Sequence, residues 1–193
     1  MTKGCGLAQL RLPLWLALMT AMLQAQLASA QPAASARDFL KEYEASLTAV
    51  PEQRTLSARG LVYVPTYASI RGQTEQPGNL AALLRIDNTS STKPLVLERI
   101  DHFDTAGQLI QRFLEKPIAL RPFGTVQIFL PHGDTRRGPA SHFIVTWAGN
   151  GPIAEPLIEA VMFGKVDGEG YSFVSAGRAI RTVGKRQWFS IGR

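Results

Sequence analysis

IDNTSSTKPLVLERIDHFDTAGQLIQRFLEKPIALRPFGTVQIFL, residues 86–130, reads as extended runs joined by turns. The first full run is Leu95 to Phe103, and its phase breaks midway. Leu95 and Leu97 share one face, and Ile100 falls on the other. One extra residue near Glu98 and Arg99, a β-bulge, restores a single apolar face. Asp104-Thr105-Ala106-Gly107 then makes a tight turn. The aspartate carboxylate accepts a backbone N–H at the first position, and glycine tolerates positive φ at the fourth. Gln108 to Leu114 returns antiparallel. Lys116-Pro117 and Arg121-Pro122 interrupt the chain. Val126, Ile128 and Leu130 form an inward face against Thr125 and Gln127.

Working upstream, Leu80, Ala82, Leu84 and Ile86 alternate with Ala81, Leu83, Arg85 and Asp87, which predicts a strand with its even residues inward. It ends in the turn cluster Asn88-Thr89-Ser90-Ser91. Asn88-Thr89-Ser90 also fits a glycosylation acceptor, read here as turn chemistry. Arg71 to Gly78 is a loop. Gly60 to Pro65 is rich in strand formers, and the proline confines that end to an edge or a bend. Pro51 to Gly60 reads as a polar linker. Before it, Ser35 caps a predicted helix of about three turns whose Phe39, Tyr43 and Leu47 make one apolar stripe, covering an end or edge of the domain.

Downstream, Pro131 to Pro139 (PHGDTRRGP) is the most polar loop. Phe143, Val145 and Trp147 then share one face of a strand, with His142 and Thr146 on the other. Leu157 to Phe163 is nearly all apolar, which predicts a central strand covered on both faces. Tyr171 to Ile180 is the last strand. Near-regular strands after one short helix predict an all-β, immunoglobulin-like antiparallel β-sandwich of about seven to nine strands. Strand count alone leaves closure into a barrel open.

Residues 1–30 have the parts of a secretory signal peptide: Lys3 and Arg11, an apolar run from Leu12 to Ala28, and Ala28-Ser29-Ala30. Cleavage after Ala30 is expected, giving a periplasmic or secreted protein with no integral span. The alternative is an uncleaved membrane anchor. The single cysteine, Cys5, leaves with the signal, so no disulfide, thiolate or lipid attachment is expected in the mature chain. The expected organisation is 1–30 signal, 31–59 helix and linker, 60–181 sandwich and 182–193 basic tail. That tail sets Arg181, Lys185, Arg186 and Arg193 around Trp188 and Phe189; it reads as a loose end or a short edge strand, and less as a membrane contact. Removing two basic residues of 21 leaves 19 against 15 acids. A mild, scattered excess excludes a nucleic-acid interface.

Several segments resemble a bacterial exported family catalogued as a domain of unknown function, DUF3124. They are Val62-Tyr63-Val64-Pro65 with Tyr67 and Ile70, Arg85-Ile86-Asp87-Asn88-Thr89, Asp104 to Gly107 with Leu109, and Phe143-Ile144-Val145 before Trp147. Glu159-Ala160-Val161-Met162 with Gly164, and Ser172-Phe173-Val174-Ser175 with Gly177 and Ile180, complete the set. The resemblance spans roughly Gly60 to Ile180 and implies no activity and no catalytic residues. His102 stands where the family has an aromatic residue, and His142 where it has a small amide.

The chemistry candidates are few. His102 lies two residues from Asp104, and His132 two residues from Asp134. On an extended strand that spacing puts both side chains on one face, as a zinc or copper site needs. The competing reading is turn and loop residues. Ser141 and His142 are adjacent on a strand and point to opposite faces, so they cannot pair; a serine with a distant histidine remains open. Asp101 with Asp104, and Glu155 with Glu159, read as strand edges and caps rather than a glycosidase pair. No phosphate loop is present. No catalytic residue, cofactor or metal is assigned. The expected function is a non-catalytic binding or structural module of the cell envelope. Its contacts would be an envelope protein or surface component, met by Arg136, Arg137, His132 and Asp134. The alternative is a small metal-dependent or hydrolytic enzyme using His102, His132 and Asp134.

Overall fold

A computed structural model of the 193-residue chain describes residues 38–52, 55–71, 77–166 and 168–180. The expected signal segment, the Ser35 cap and the basic tail lie outside the described residues. One helix, α1 (Asp38–Glu42), comes first. The strands follow as β1 (Leu47–Thr48), β2 (Leu56–Tyr67), β3 (Ser69–Arg71), β4 (Pro77–Asp87), β5 (Leu95–Phe103) and β6 (Leu109–Arg112). Then come β7 (Ile118–Leu120), β8 (Thr125–Leu130), β9 (Ala140–Asn150), β10 (Leu157–Val166), β11 (Glu169–Ala176) and β12 (Arg178–Ala179).

These strands make two antiparallel sheets. The seven-stranded sheet runs β1-β7-β5-β9-β2-β12, with β6 also on β5. The five-stranded sheet runs β11-β10-β4-β3, with β8 also on β4. The fold is an all-β sandwich preceded by a short helix. Val62, Val64, Leu97, Ile100, Phe143 and Val145 come from one inner face, and Leu80, Leu84, Ile86, Ile128, Ala160 and Met162 from the other; they bury against each other in one cluster. The even residues of β4 point inward as expected, because the strand alternates and one face must leave water.

The bulge in β5 is where the phase break predicted it. Leu97 pairs with Trp147 and Arg99 with Thr146, so Glu98 is the extra residue. Below it Leu95 and Leu97 face the core; above it Ile100 and His102 do, and Asp101 turns outward. The Asp104 turn also forms as expected. Its carboxylate accepts from Ala106 N–H at 2.9 Å and Gln108 N–H at 2.8 Å, and Gly107 has φ of 78°.

Asn88 joins the two sheets at the end of β4. Its side-chain amide donates to the carbonyls of Lys93, Leu120 and Arg121, and its oxygen accepts from Ser90 N–H. Those partners flank β5 and β7 of the opposite sheet, so the turn chemistry read from Asn88 serves a long-range corner.

Other expectations are corrected. The helix is shorter: a 3₁₀ turn (Glu44–Ser46) ends it, and Leu47 pairs with Leu120 as strand. Phe39, Leu40, Tyr43 and Leu47 still pack on the core. The supposed linker is strand from Leu56. Its polarity hides small inward residues, Ala58 and Gly60, and Trp147 fills the space above Gly60, where an added Cβ would meet the indole at 2.4 Å. Pro65 sits within β2, at a level where β12 has ended and no second neighbour requires its N–H. The last strand splits at Gly177, whose N–H bonds Ile158 C=O at 2.8 Å, and the chain crosses to the other sheet as β12. A Cβ there would lie 2.4 Å from that carbonyl oxygen. Twelve strands are described rather than seven to nine, because several are two to four residues long. β10 is central yet covered on one face only: Ile158, Ala160 and Met162 are buried while Leu157 and Phe163 are exposed.

The bulge makes a sharp prediction. Glu98→Ala removes only a surface pair with Arg59 and should cost less than about 1 kcal/mol. Inserting an alanine between Ile100 and Asp101 should cost more than about 4 kcal/mol, since that one-residue slip sends Asp101 inward and His102 outward, whereas deleting Glu98 joins Leu97 to Arg99, which already pair with consecutive residues of β9, and keeps both faces. Urea denaturation of the three variants measures it; an insertion variant as stable as the deletion would refute the role given to the bulge.

Candidate functional site

The inner faces of β5, β9 and β2 end in a polar group. His102, Ser141 and Thr66 all point into the sandwich, following the alternation that buries Ile100, Phe143 and Val64. The His102 Nε2 is 3.0 Å from Ser141 Oγ, which is 2.7 Å from Thr66 Oγ1. His102 also stacks on Phe143 with centroids 4.6 Å apart. Burial pushes the His102 imidazole down to about 4, and the charge of Arg137 adds to that, so the ring is neutral at pH 7.

Arg137 closes this end. The loop after β8 turns through a 3₁₀ segment (Thr135–Arg137) capped by Asp134, which accepts from Arg136 N–H. The Arg137 guanidinium is fully buried and donates to the carbonyls of Leu80 and Pro131, each at 3.0 Å. Its Nε and Nη1 have no hydrogen-bond partner among the described residues. Asp134 does not bond it: that carboxylate accepts from Arg136 Nε and Nη2 at 2.8 and 2.7 Å. Those bonds outweigh desolvation and hold the Asp134 carboxyl below its usual range.

Arg137 is therefore not a surface anchor, as the polar loop suggested. Loop polarity gives no sign of which of two adjacent arginines folds inward. His132 and Arg136 are exposed, and Asp134 is half-buried. His102 and His132 do not converge, since one is in the core and the other is on the loop surface. Among the described residues no group of three His, Cys, Asp or Glu side chains is placed to hold a metal ion. The serine does meet a distant histidine. The Ser141–His102 distance would suit a nucleophile and its base, but both side chains are buried, at 4% and 1% exposure, and no carboxylate bonds the ring. The β5 bulge and the β9 strand contained the signal for this contact, because together they put both residues on one inner face.

Two further features lie outside this cluster. A groove of about 480 Å³ runs beside the lower half of β2, lined by Gly60, Leu61, Trp147, Pro156, Ile158 and Ile180. On the outer face of the seven-stranded sheet, Asp101 is fully buried beneath Arg99 and Arg112. Burial alone would raise its carboxyl; hydrogen bonds from Arg112 and Arg99, and their charges, hold it below the usual range.

The family model described as "Protein of unknown function (DUF3124)" matches residues 59–180. The chain belongs to this family. The DUF3124 match runs from Arg59 within β2 through β12, includes the buried polar end and the arginine pair, and leaves out α1 and β1. The comparison with curated proteins gives no match. Among solved structures, "Crystal Structure of Thermotoga maritima 1070" is similar at TM-score 0.35 and 9% identity, over 62% of this chain and 92% of that one.

The neutral, buried His102 predicts a pH dependence. The unfolded chain takes the proton near 6.5 and the folded chain only near 4. The stability from burying a neutral ring is fully present above pH 6.5 and is lost as pH falls towards 4. The loss is on the order of 3 kcal/mol. His102→Gln, which keeps a donor and acceptor for Ser141, should flatten that part of the curve. Urea denaturation between pH 7 and 4 tests it, and identical slopes in both proteins would refute it.

Proposed function

We propose that the protein is an exported binding or structural module of the bacterial cell envelope, with its signal peptide removed after Ala30. One observation carries the binding role. The outer face of the five-stranded sheet presents an apolar row across four strands, Val174, Val161, Leu83 and Phe129, set by register. Phe163 lies beside it and stacks on Phe129 with centroids 6.3 Å apart. Val174, Phe129 and Phe163 are 56%, 55% and 40% exposed. Contiguous large apolar side chains on a sheet face cost free energy in water and favour burial against a partner. The half-exposed loop group His132, Asp134 and Arg136 offers a second, polar contact at one end of the sandwich.

No helix among the described residues is long and apolar enough to cross a membrane. The export reading rests on the signal-like first thirty residues and on a mature chain without cysteine.

Two measurements test this. N-terminal sequencing of the protein from a bacterial periplasmic fraction should begin at Gln31, and an intact Met1 in the cytoplasm would overturn export. Affinity recovery from envelope extracts at native levels should give a co-purifying envelope protein with the wild type and lose it with Phe129→Glu. That variant should melt within a few degrees of wild type, since the side chain is on the surface. A protein recovered alone, or recovery unchanged by Phe129→Glu, would sink the binding role assigned to this face.

A further inference from the structure

The opposite face of the sandwich carries a different pattern. Register sets Arg112, Asp101, Ile144, Tyr63 and Arg178 in one row across β6, β5, β9, β2 and β12. At one end Arg112 Nε donates to Asp101 at 2.9 Å and Arg99 pairs with the same carboxylate. Both guanidiniums remain half exposed, at 50% and 53%. One carboxylate neutralises one of the two charges and fixes both forks, leaving a net positive pair with ordered, outward N–H groups. At the other end stands Arg178, exposed, three strands from Asp101 and four from Arg112, roughly 14 to 19 Å by strand spacing.

Between the two ends the surface is apolar and aromatic. Tyr63 stacks on His142 with centroids 4.7 Å apart, and His142 on Phe103 at 5.3 Å. The stacks hold the rings upright and limit their rotamers. Leu61 and Tyr63 are each 37% exposed. A rigid tyrosine flanked by arginines is the composition of a protein-binding hot spot. An anionic membrane would call for a denser basic cluster, and here one of the arginine charges is already matched by Asp101.

We propose that this face binds an acidic partner protein, through a strip of apolar side chains flanked by carboxylates roughly 14 to 19 Å apart. The arginine pair over Asp101 takes one carboxylate and Arg178 the other, with Tyr63 and Ile144 beneath the apolar centre. This surface is separate from the apolar row of the other sheet, so either can fail alone.

The purified protein is titrated with a labelled peptide alternating Glu with Val and Tyr, with the same peptide carrying Lys for Glu, and with phosphatidylglycerol vesicles. The Glu peptide should bind, more weakly as salt rises. Arg178→Gln and Arg112→Gln should each weaken it about fivefold. Lys165→Gln, which removes the same charge from an exposed position on β10 of the other sheet, should leave it unchanged, and so should Phe129→Glu. Arg178→Gln is the decisive variant because that side chain is exposed and its loss leaves Asp101 covered. No binding by the Glu peptide, equal binding by the Lys peptide, stronger binding to vesicles, or equal effects of Arg178→Gln and Lys165→Gln would each overturn the proposal.

Discussion

One extra residue in β5 sets the two polar arrangements of this sandwich. Strand side chains alternate with period two, so the Glu98 bulge reverses which residues of β5 face the core. Above it His102 is inward and Asp101 outward. The inward histidine meets Ser141 and Thr66 and becomes a neutral core residue. The outward aspartate meets Arg112 on β6 and Arg99 on its own strand and becomes the anchor of a surface arginine pair. Without the bulge a carboxylate would enter the core, at a cost of several kcal/mol.

The sandwich divides its chemistry between inside and outside accordingly. Inside, polar groups at one end bond to each other and to strand carbonyls, and their role is to close the core. Outside, the two sheets differ. The five-stranded sheet presents Val174, Phe129 and Phe163; the seven-stranded sheet presents arginines around Tyr63. Binding through faces of a rigid sheet needs little reordering, because backbone and most side chains are already fixed by the ladder. Binding at the two proposed surfaces would therefore leave the core around His102 closed.

Much of the fold was legible in the sequence because strand periodicity is local. The even residues of β4, the inward row of β8, the Asp104–Gly107 turn and the bulge could all be read from a few neighbouring residues. What escaped was non-local. Leu47 looked helical by spacing, but its backbone is claimed by Leu120. Leu56 to Gly60 looked like a linker because the large side chain filling that layer, Trp147, belongs to another strand. The apolar run of β10 suggested cover on both faces, and only the assembled sheet shows one face bare. At the polar end, Ser141 cannot meet its sequence neighbour His142, and its contact is His102, thirty-nine residues away.

Arg137 is the sharpest case of a role that local sequence cannot carry. Arg136 and Arg137 are chemically identical neighbours in one loop. Asp134 caps the turn and captures Arg136 on the surface, so the helical geometry rotates Arg137 to the opposite side. There it donates to Leu80 and Pro131, carbonyls at the same end of β4 and β8. Burial disfavours protonation of His102, and the Arg137 charge disfavours it further. The two groups thus reinforce one condition: the end of the sandwich stays closed while the imidazole stays neutral. A loop that looks like a contact surface is, through this one side chain, part of the core that holds both outer faces in place.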